Sequence, residues 1–343
     1  MNTERPHGAS TLIVKDLNAQ SVLRCLKEAQ TATVRQLAGA SGLSVVTVKA
    51  IMTSLVDQGK AFIGGKAPSG GGRPSQRYIF NEKHSLGLVI FTREVDGKDT
   101  VFLRVVDLYG QTLDSESIEI PSLGPDELET LIGEKILQFN RLQAISLGLP
   151  GIEYKGTIVS VDYKALIGIP LADRLRSRFG MPVLVENDVN AAVLGRDCEA
   201  YIYFPRKYPP GAGLLIQGTL LKGCHHFAGE IGWLPLGISW GPETADSFED
   251  CCSAAAKVVA SLTAVVDPAS VVLYGEHLGK EHLQRIGELC RNLLPAQALP
   301  TLHCSEDFTA DFEQGLKKIL LNLLDENLLE KPLREEQIPK KKI

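Results

Sequence analysis

The chain has 343 residues, of which 44% are hydrophobic and 22% charged, and it carries a net charge of −5. That is long for one domain and ordinary for two or three soluble ones, and no apolar run reaches the length of a membrane span. Residues 1–10 are polar and lack the apolar core of a signal peptide, so the chain is expected in the cytoplasm. The seven cysteines, Cys25, Cys198, Cys224, Cys251, Cys252, Cys290 and Cys304, are scattered with no C-x-x-C pair, which fits neither a disulfide framework nor a zinc site. The charge is uneven. Residues 1–85 hold eleven Lys and Arg against five Asp and Glu, a net of +6, which leaves −11 on the rest. A basic head on an acidic body points the head at a polyanion.

Asn18 reads as the N-cap of a first helix with Val22, Leu23, Leu26 and Ala29 on one face. A second short helix is expected from about Thr33, with Val34, Leu37 and Ala38 turned inward. Gly42-Leu43-Ser44 is a tight turn ending in an N-cap serine. A third helix over 45–58 buries Val48, Ile51, Met52 and Leu55, and Gly59 stops it. Two strands around the Gly-rich tip Gly70-Gly71-Gly72-Arg73-Pro74 follow, one from Ala61 and one through Phe80. This is the spacing of a winged helix-turn-helix over residues 1–84. A helix fits the major groove, and Val45, Val46, Thr47, Lys49, Ala50 and Thr53 are the outward positions of the third helix. Lys66, Arg73 and Arg77 belong to the wing, where an arginine on a Gly-Pro tip suits a narrow minor groove. The helix face is poor in long polar side chains, so phosphate contacts are expected to carry much of the affinity. The alternative is a three-helix interaction module that never touches double-stranded DNA.

From Ser85 onward strands and helices alternate. Strands are expected over 86–92, 100–108 and 111–120, a helix over 126–139, and a buried strand over 144–149 ending in Pro150-Gly151. A helix over 171–179 and a strand over 182–185 complete a first lobe, residues 85–197. A second lobe, residues 198–310, opens with strands near 199–204 and 213–218. It continues with a helix over 247–266, a strand over 270–274 and a helix over 280–294. The last helix, 311–324, is assigned to the first lobe. Two α/β lobes with a hinge near residue 198 imply a cleft between them.

Three phrases, Gly148-Leu149-Pro150-Gly151, Val185-Glu186-Asn187-Asp188-Val189-Asn190 and Ala228-Gly229-Glu230-Ile231-Gly232, resemble the ROK family of sugar kinases and sugar-responsive repressors. The head resembles its repressor branch, including Gly72-Arg73-Pro74, and the resemblance covers roughly residues 15–325. It implies an α/β, two-lobed actin/hexokinase-like (ribonuclease H-like) body with a sugar or sugar derivative in the cleft. It would place Gly151, Asn187, Asp188, Glu230, Trp233 and Glu249 at the ligand, Glu249 by its spacing to Ser253. Carboxylates and amides suit adjacent sugar hydroxyls because they accept and donate in pairs.

The family's kinase parts are missing. Val89 stands where the first strand should hold an aspartate, and no Gly pair follows it. Lys207-Tyr208-Pro209 stands where a Gly-Thr-Gly loop would offer bare amides to phosphates; proline has no N–H, and Lys and Tyr add bulk. Phosphoryl transfer is not expected, and neither is any cofactor. The zinc-ligand positions hold Trp233, Trp240, Pro242 and Ser247, none of them a zinc ligand, so no metal is expected. Trp233 either stacks on a sugar face or fills the cleft. Three readings stay open: a repressor with a sugar-like effector, a regulator whose body is only an oligomerisation scaffold, and a sugar kinase with an added head. A homodimer or larger homo-oligomer is expected, because paired heads read a palindrome.

Overall fold

The computed structural model describes residues 7–67, 75–95, 97–161, 163–196 and 198–329. They divide into two compact units, one of residues 7–85 with the end of the last helix from Glu326, the other Leu86–Asp325.

The first unit is ordered α1 (His7–Ala29), β1 (Thr31–Thr33), α2 (Val34–Ser41), α3 (Val45–Asp57), β2 (Ala61–Ala67) and β3 (Ser75–Phe80). Thr33 and Gln36 form a reciprocal capping box that starts α2, with Gln36 Oε1 accepting from the Thr33 amide at 2.9 Å. Gly42 takes φ +70°, a left-handed conformation that ends α2 at little steric cost. Ser44 Oγ then accepts from the Thr47 amide at 3.1 Å and starts α3. Val22, Leu26, Leu37, Val48, Met52, Leu55 and Phe80 are buried as one small core. The strands pair antiparallel in the order β1-β3-β2. Two details depart from the sequence expectation. Helix α1 begins at His7, so Asn18 lies inside it and caps nothing; the three-residue strand β1 adds an edge that the periodicity did not reveal.

The second unit holds two five-stranded sheets. Its elements are β4 (Leu86–Val95), β5 (Lys98–Val106), β6 (Thr112–Glu119), α4 (Pro125–Gln138), β7 (Leu142–Leu149), β8 (Gly151–Tyr154), β9 (Thr157–Val161), α5 (Leu171–Phe179), β10 (Val183–Asn187) and α6 (Asp188–Arg196). There follow β11 (Ala200–Tyr203), β12 (Gly211–Ile216), β13 (Thr219–Leu220), α7 (Pro242–Asp246), α8 (Phe248–Val266), β14 (Ser270–Tyr274), α9 (Lys280–Leu293), β15 (Thr301–Cys304) and α10 (Phe308–Leu329). The first sheet runs β10-β7-β4-β5-β6, and the second β13-β12-β11-β14-β15. In each, three parallel strands continue into an antiparallel meander edge, a mixed sheet covered by helices. The central strands are continuous apolar runs, as burial on both faces requires: Leu88, Val89, Ile90 and Phe91 of β4 are fully buried. The β8–β9 hairpin, β13 and β15 were not expected from sequence. Among the described residues no single helix is long and apolar enough to cross a membrane.

Helices α6 and α10 pack against each other between the sheets. A Cβ on Gly315 would meet the Ala191 carbonyl oxygen at 1.7 Å, and one on Gly195 the Asp311 carbonyl oxygen at 2.1 Å. Asp311 of α10 is buried, accepting from Tyr201 Oη at 2.9 Å and from Ser305 Oγ. One helix pair and one carboxylate thus tie the two sheets together at the base of the cleft.

Candidate functional site

On the first unit, α3 presents Val45, Val46, Lys49, Ala50 and Thr53 to solvent, with Val46 79% exposed. Thr47 is half-buried, its Oγ1 2.8 Å from Ser44 Oγ, so it holds the start of α3 as well as edging the face. Lys66 of β2 and Arg77 of β3 are exposed on the wing sheet. Arg73 lies outside the described residues. The head of α3 thus carries exposed apolar residues, and the wing sheet of the same unit carries exposed cations.

Within the second unit a cleft of about 1250 Å³ opens between the two sheets' lobes. Its first-lobe wall is the turn from β10 into α6. Asn187 Oδ1 accepts from the amides of Val189 (2.9 Å) and Asn190 (3.0 Å), and its Nδ2 donates to the Gly151 carbonyl at 2.9 Å. Both Asn187 and Gly151 line the cleft, but these bonds make them chiefly its framework. Asp188, the first residue of α6, is buried in the wall, and its Oδ1 accepts from the Val189 amide at 2.9 Å. Glu186 lies beside it, with Oε1 bound to the Asn187 amide and to Asn190 Nδ2, and Oε2 2.6 Å from Lys222 Nζ.

The second-lobe wall is the loop after β13. Gly229 takes φ +97°, and a Cβ there would fall 1.9 Å from the Ala212 carbonyl oxygen, so only glycine lets the loop lie on β12 and turn Glu230 into the cleft. Burial, with no compensating donor, pushes the Glu230 carboxyl above the usual glutamate value. His226 Nδ1 lies 2.8 Å from the Glu153 carbonyl and 3.3 Å from its carboxylate, linking the loop to the β8–β9 hairpin. Trp233 lines the cleft but is 78% exposed, its ring 6.2 Å from that of Phe227. It does not fill the cavity.

Glu249 is not brought to the cleft. It sits in the first turn of α8, exposed, and pairs with Arg285 of α9 at 3.0 Å. The spacing to Ser253 fixed its place on a helix but not the face it occupies. Among the cleft residues that sequence reasoning missed are Glu153, Glu186, Lys222 and His226. Glu186 stood next to the Asn-Asp pair and could have been found; the others join segments far apart in sequence.

Around Arg93 and Lys207, which both line the cleft, aromatic and ionic contacts join the two lobes. Phe91 stacks on Phe102 at 4.7 Å and leans on Phe312. Arg93 reaches across the lobes to Glu276 (3.2 Å) and Tyr274 Oη (3.3 Å), and also donates to Thr309. Lys207 pairs with Glu94 at 3.0 Å. At the expected zinc-ligand positions, Trp240 packs beside Phe204, Pro242 opens α7, and Ser247 caps α8.

Two lobes built on paired mixed sheets, with a polar cleft between them, define an actin-like α/β protein. Residues 95–252 match the ROK family. It is 25% identical over 297 residues to the xylose repressor of Bacillus subtilis strain 168, covering 82% of this chain and 76% of that one. It is 26% identical over 247 residues to the DNA-binding transcriptional dual regulator NagC of Escherichia coli K12, covering 66% of this chain and 59% of that one. Among solved structures, a ROK family transcriptional regulator described as a homolog of the E. coli MLC protein superposes with a TM-score of 0.64 at 18% identity, over 92% of this chain and 99% of that one. The ROK hexokinase of Thermus thermophilus gives 0.56 at 20%, over 71% and 99%.

Proposed function

We propose that this chain is a DNA-binding transcription regulator, acting as a repressor of carbohydrate-related genes, whose cleft takes a sugar or sugar derivative as effector. The observation that carries the reading is the pairing of an exposed α3 face on a winged helix with a cleft whose Asp188 and Glu230 carboxylates come from opposite lobes. Its similarity to proteins named xylose repressor and NagC supports the same reading. A ligand that touches both walls favours one lobe angle, and it can shift the equilibrium only by its differential affinity for the two angles.

The chain does not act as a sugar kinase in this reading. What supports this is the set of aromatic and ionic contacts around Phe91, Arg93 and Lys207, with Lys207-Tyr208-Pro209 standing where the resemblance implies a Gly-Thr-Gly loop. The expected result is no phosphate transfer from ATP to hexoses, and a measurable rate abolished by Asp188→Ala would contradict it. A homodimer placing two heads on a palindrome is part of the proposal, and sedimentation of a monomer at micromolar concentration would remove that part.

The DNA face is tested by titration of a labelled duplex at several salt concentrations. Lys49→Ala is expected to change preference among sequences. Arg77→Ala is expected to weaken all duplexes alike and to flatten the log–log salt slope by about one unit, the value for one neutralised phosphate. If neither substitution alters DNA affinity, the face is wrongly assigned.

A further inference from the structure

The chemistry of the cleft wall narrows the class of ligand, on the reading that the cleft is the effector site. Among the described residues, seven carboxylates line it against four Lys and Arg, and each of these four cations is already in an ion pair. Arg93 is held by Glu276 and Lys207 by Glu94, while Arg206 is held by Asp246. Lys222, next to the Asn187–Asp188 turn, is held at 2.6 Å by Glu186, whose side chain is only 7% exposed. Arg206 and Lys207 are in exposed pairs, so the constraint applies beside the Asn187–Asp188 turn: a phosphate held there would have to take Lys222 from Glu186 and leave a buried carboxylate with only its bonds from the Asn187 amide and Asn190. Breaking such a pair is strongly unfavourable. An uncharged polyol meets no such penalty, because its hydroxyls donate to the Glu230 carboxylate, which burial has left without a compensating donor.

The size and the rim add a second constraint. At about 1250 Å³ the cleft exceeds the roughly 300–1,000 Å³ usual for small-molecule sites. Three residues past the half-buried Glu230, on a single 3-10 turn, Trp233 stands in the open at the rim, with Phe227 48% exposed beside it. The two exposed rings, 6.2 Å apart and tilted 54° to each other, form an angled shelf of which Trp233 lines the cleft, and an aromatic face suits the apolar face of a sugar ring.

We infer that the cleft binds an uncharged glycan of at least two sugar rings, one ring held at Glu230 and Asp188 and the next lying on the Trp233–Phe227 shelf. The test is calorimetric titration of the full chain against a fixed panel. The panel holds glucose, xylose and N-acetylglucosamine, their α- and β-1,4-linked di- and trisaccharides, and the 6-phosphates of glucose and N-acetylglucosamine.

A di- or trisaccharide is expected to bind about tenfold or more tightly than its parent monosaccharide, a gain of the size of one aromatic stacking contact. The 6-phosphates are expected to bind no more tightly than the free sugars. Trp233→Ala is expected to remove the oligosaccharide advantage, and Trp233→Phe is expected to keep part of it; the ring is 78% exposed, so neither change opens a core cavity. Equal affinity for mono- and oligosaccharides, an unchanged ratio in Trp233→Ala, or tighter binding of a 6-phosphate overturns the inference while leaving the effector site itself standing. Failure of every sugar in the panel to bind at millimolar concentration overturns the effector reading and this inference with it.

Discussion

Gly315→Ala is expected to destabilise the second unit by about 3 kcal/mol or more, the upper range for overpacking a closed site. The new methyl would lie 1.7 Å from the Ala191 carbonyl oxygen, and backbone cannot swing aside as a flexible side chain can. Helices α6 and α10 must then separate, and with them the turn that carries Asn187 and Asp188 at the head of α6. Gly133→Ala supplies the control. Gly133 lies within α4 with nothing near the site of a Cβ, so the same chemical change there should stabilise by roughly 0.5–1 kcal/mol through helix propensity alone. Urea unfolding of both variants checks the pair. A Gly315→Ala midpoint equal to that of the parent protein would show that the two helices are not in contact.

Glu230→Ala is expected to weaken a binding sugar about 10- to 100-fold, the loss of one or two charge-assisted hydrogen bonds. Affinity for DNA without sugar should stay within about twofold, since Glu230 belongs to the cleft wall and not to the α3 face. The pH dependence follows from the same residue. Its carboxyl titrates above the ordinary value of 4.5 because burial disfavours the charged form. The folded state therefore takes up a proton more readily than the unfolded chain, so this group's effect on stability improves as pH falls through the raised pKa. Sugar binding moves the other way, because protonation removes an acceptor: affinity should fall as pH drops through that same window, and Glu230→Gln should flatten the profile. A sugar affinity indifferent to Glu230→Ala would remove this residue from the ligand.

The head was legible because its signals are local. The Gly42 turn, the Ser44 cap and the 3.6-residue spacing of Val48, Met52 and Leu55 all act within one or two helical turns. The start of α1 was not legible, because an asparagine inside a helix looks in sequence like one at its end. In the body, β4 and β7 declared themselves as continuous apolar runs, whereas β13 and β15, of two and four residues, carry too few positions for a period to show. The cleft was half legible. Glu230 and Asp188 sit in compact phrases whose glycines and caps are local requirements. The Lys222–Glu186 and Arg93–Glu276 pairs join the lobes across 36 and 183 positions of sequence, and no spacing rule anticipates them. Glu249 shows the converse error: the spacing was real, but helix α8 turns that position toward Arg285.

The central claim is sugar-responsive, sequence-selective DNA binding by the full chain. It is tested most directly by selecting sheared genomic DNA of the source organism on the immobilised protein, sequencing the retained fragments, and titrating the most enriched one with and without each sugar of the panel. The account predicts enrichment of a recurrent sequence element, loss of its selective retention in Lys49→Ala, and an affinity shifted by at least one uncharged sugar in the parent protein but not in Glu230→Ala. Retention of fragments without any shared element, or an enriched fragment whose affinity no sugar changes, would contradict it.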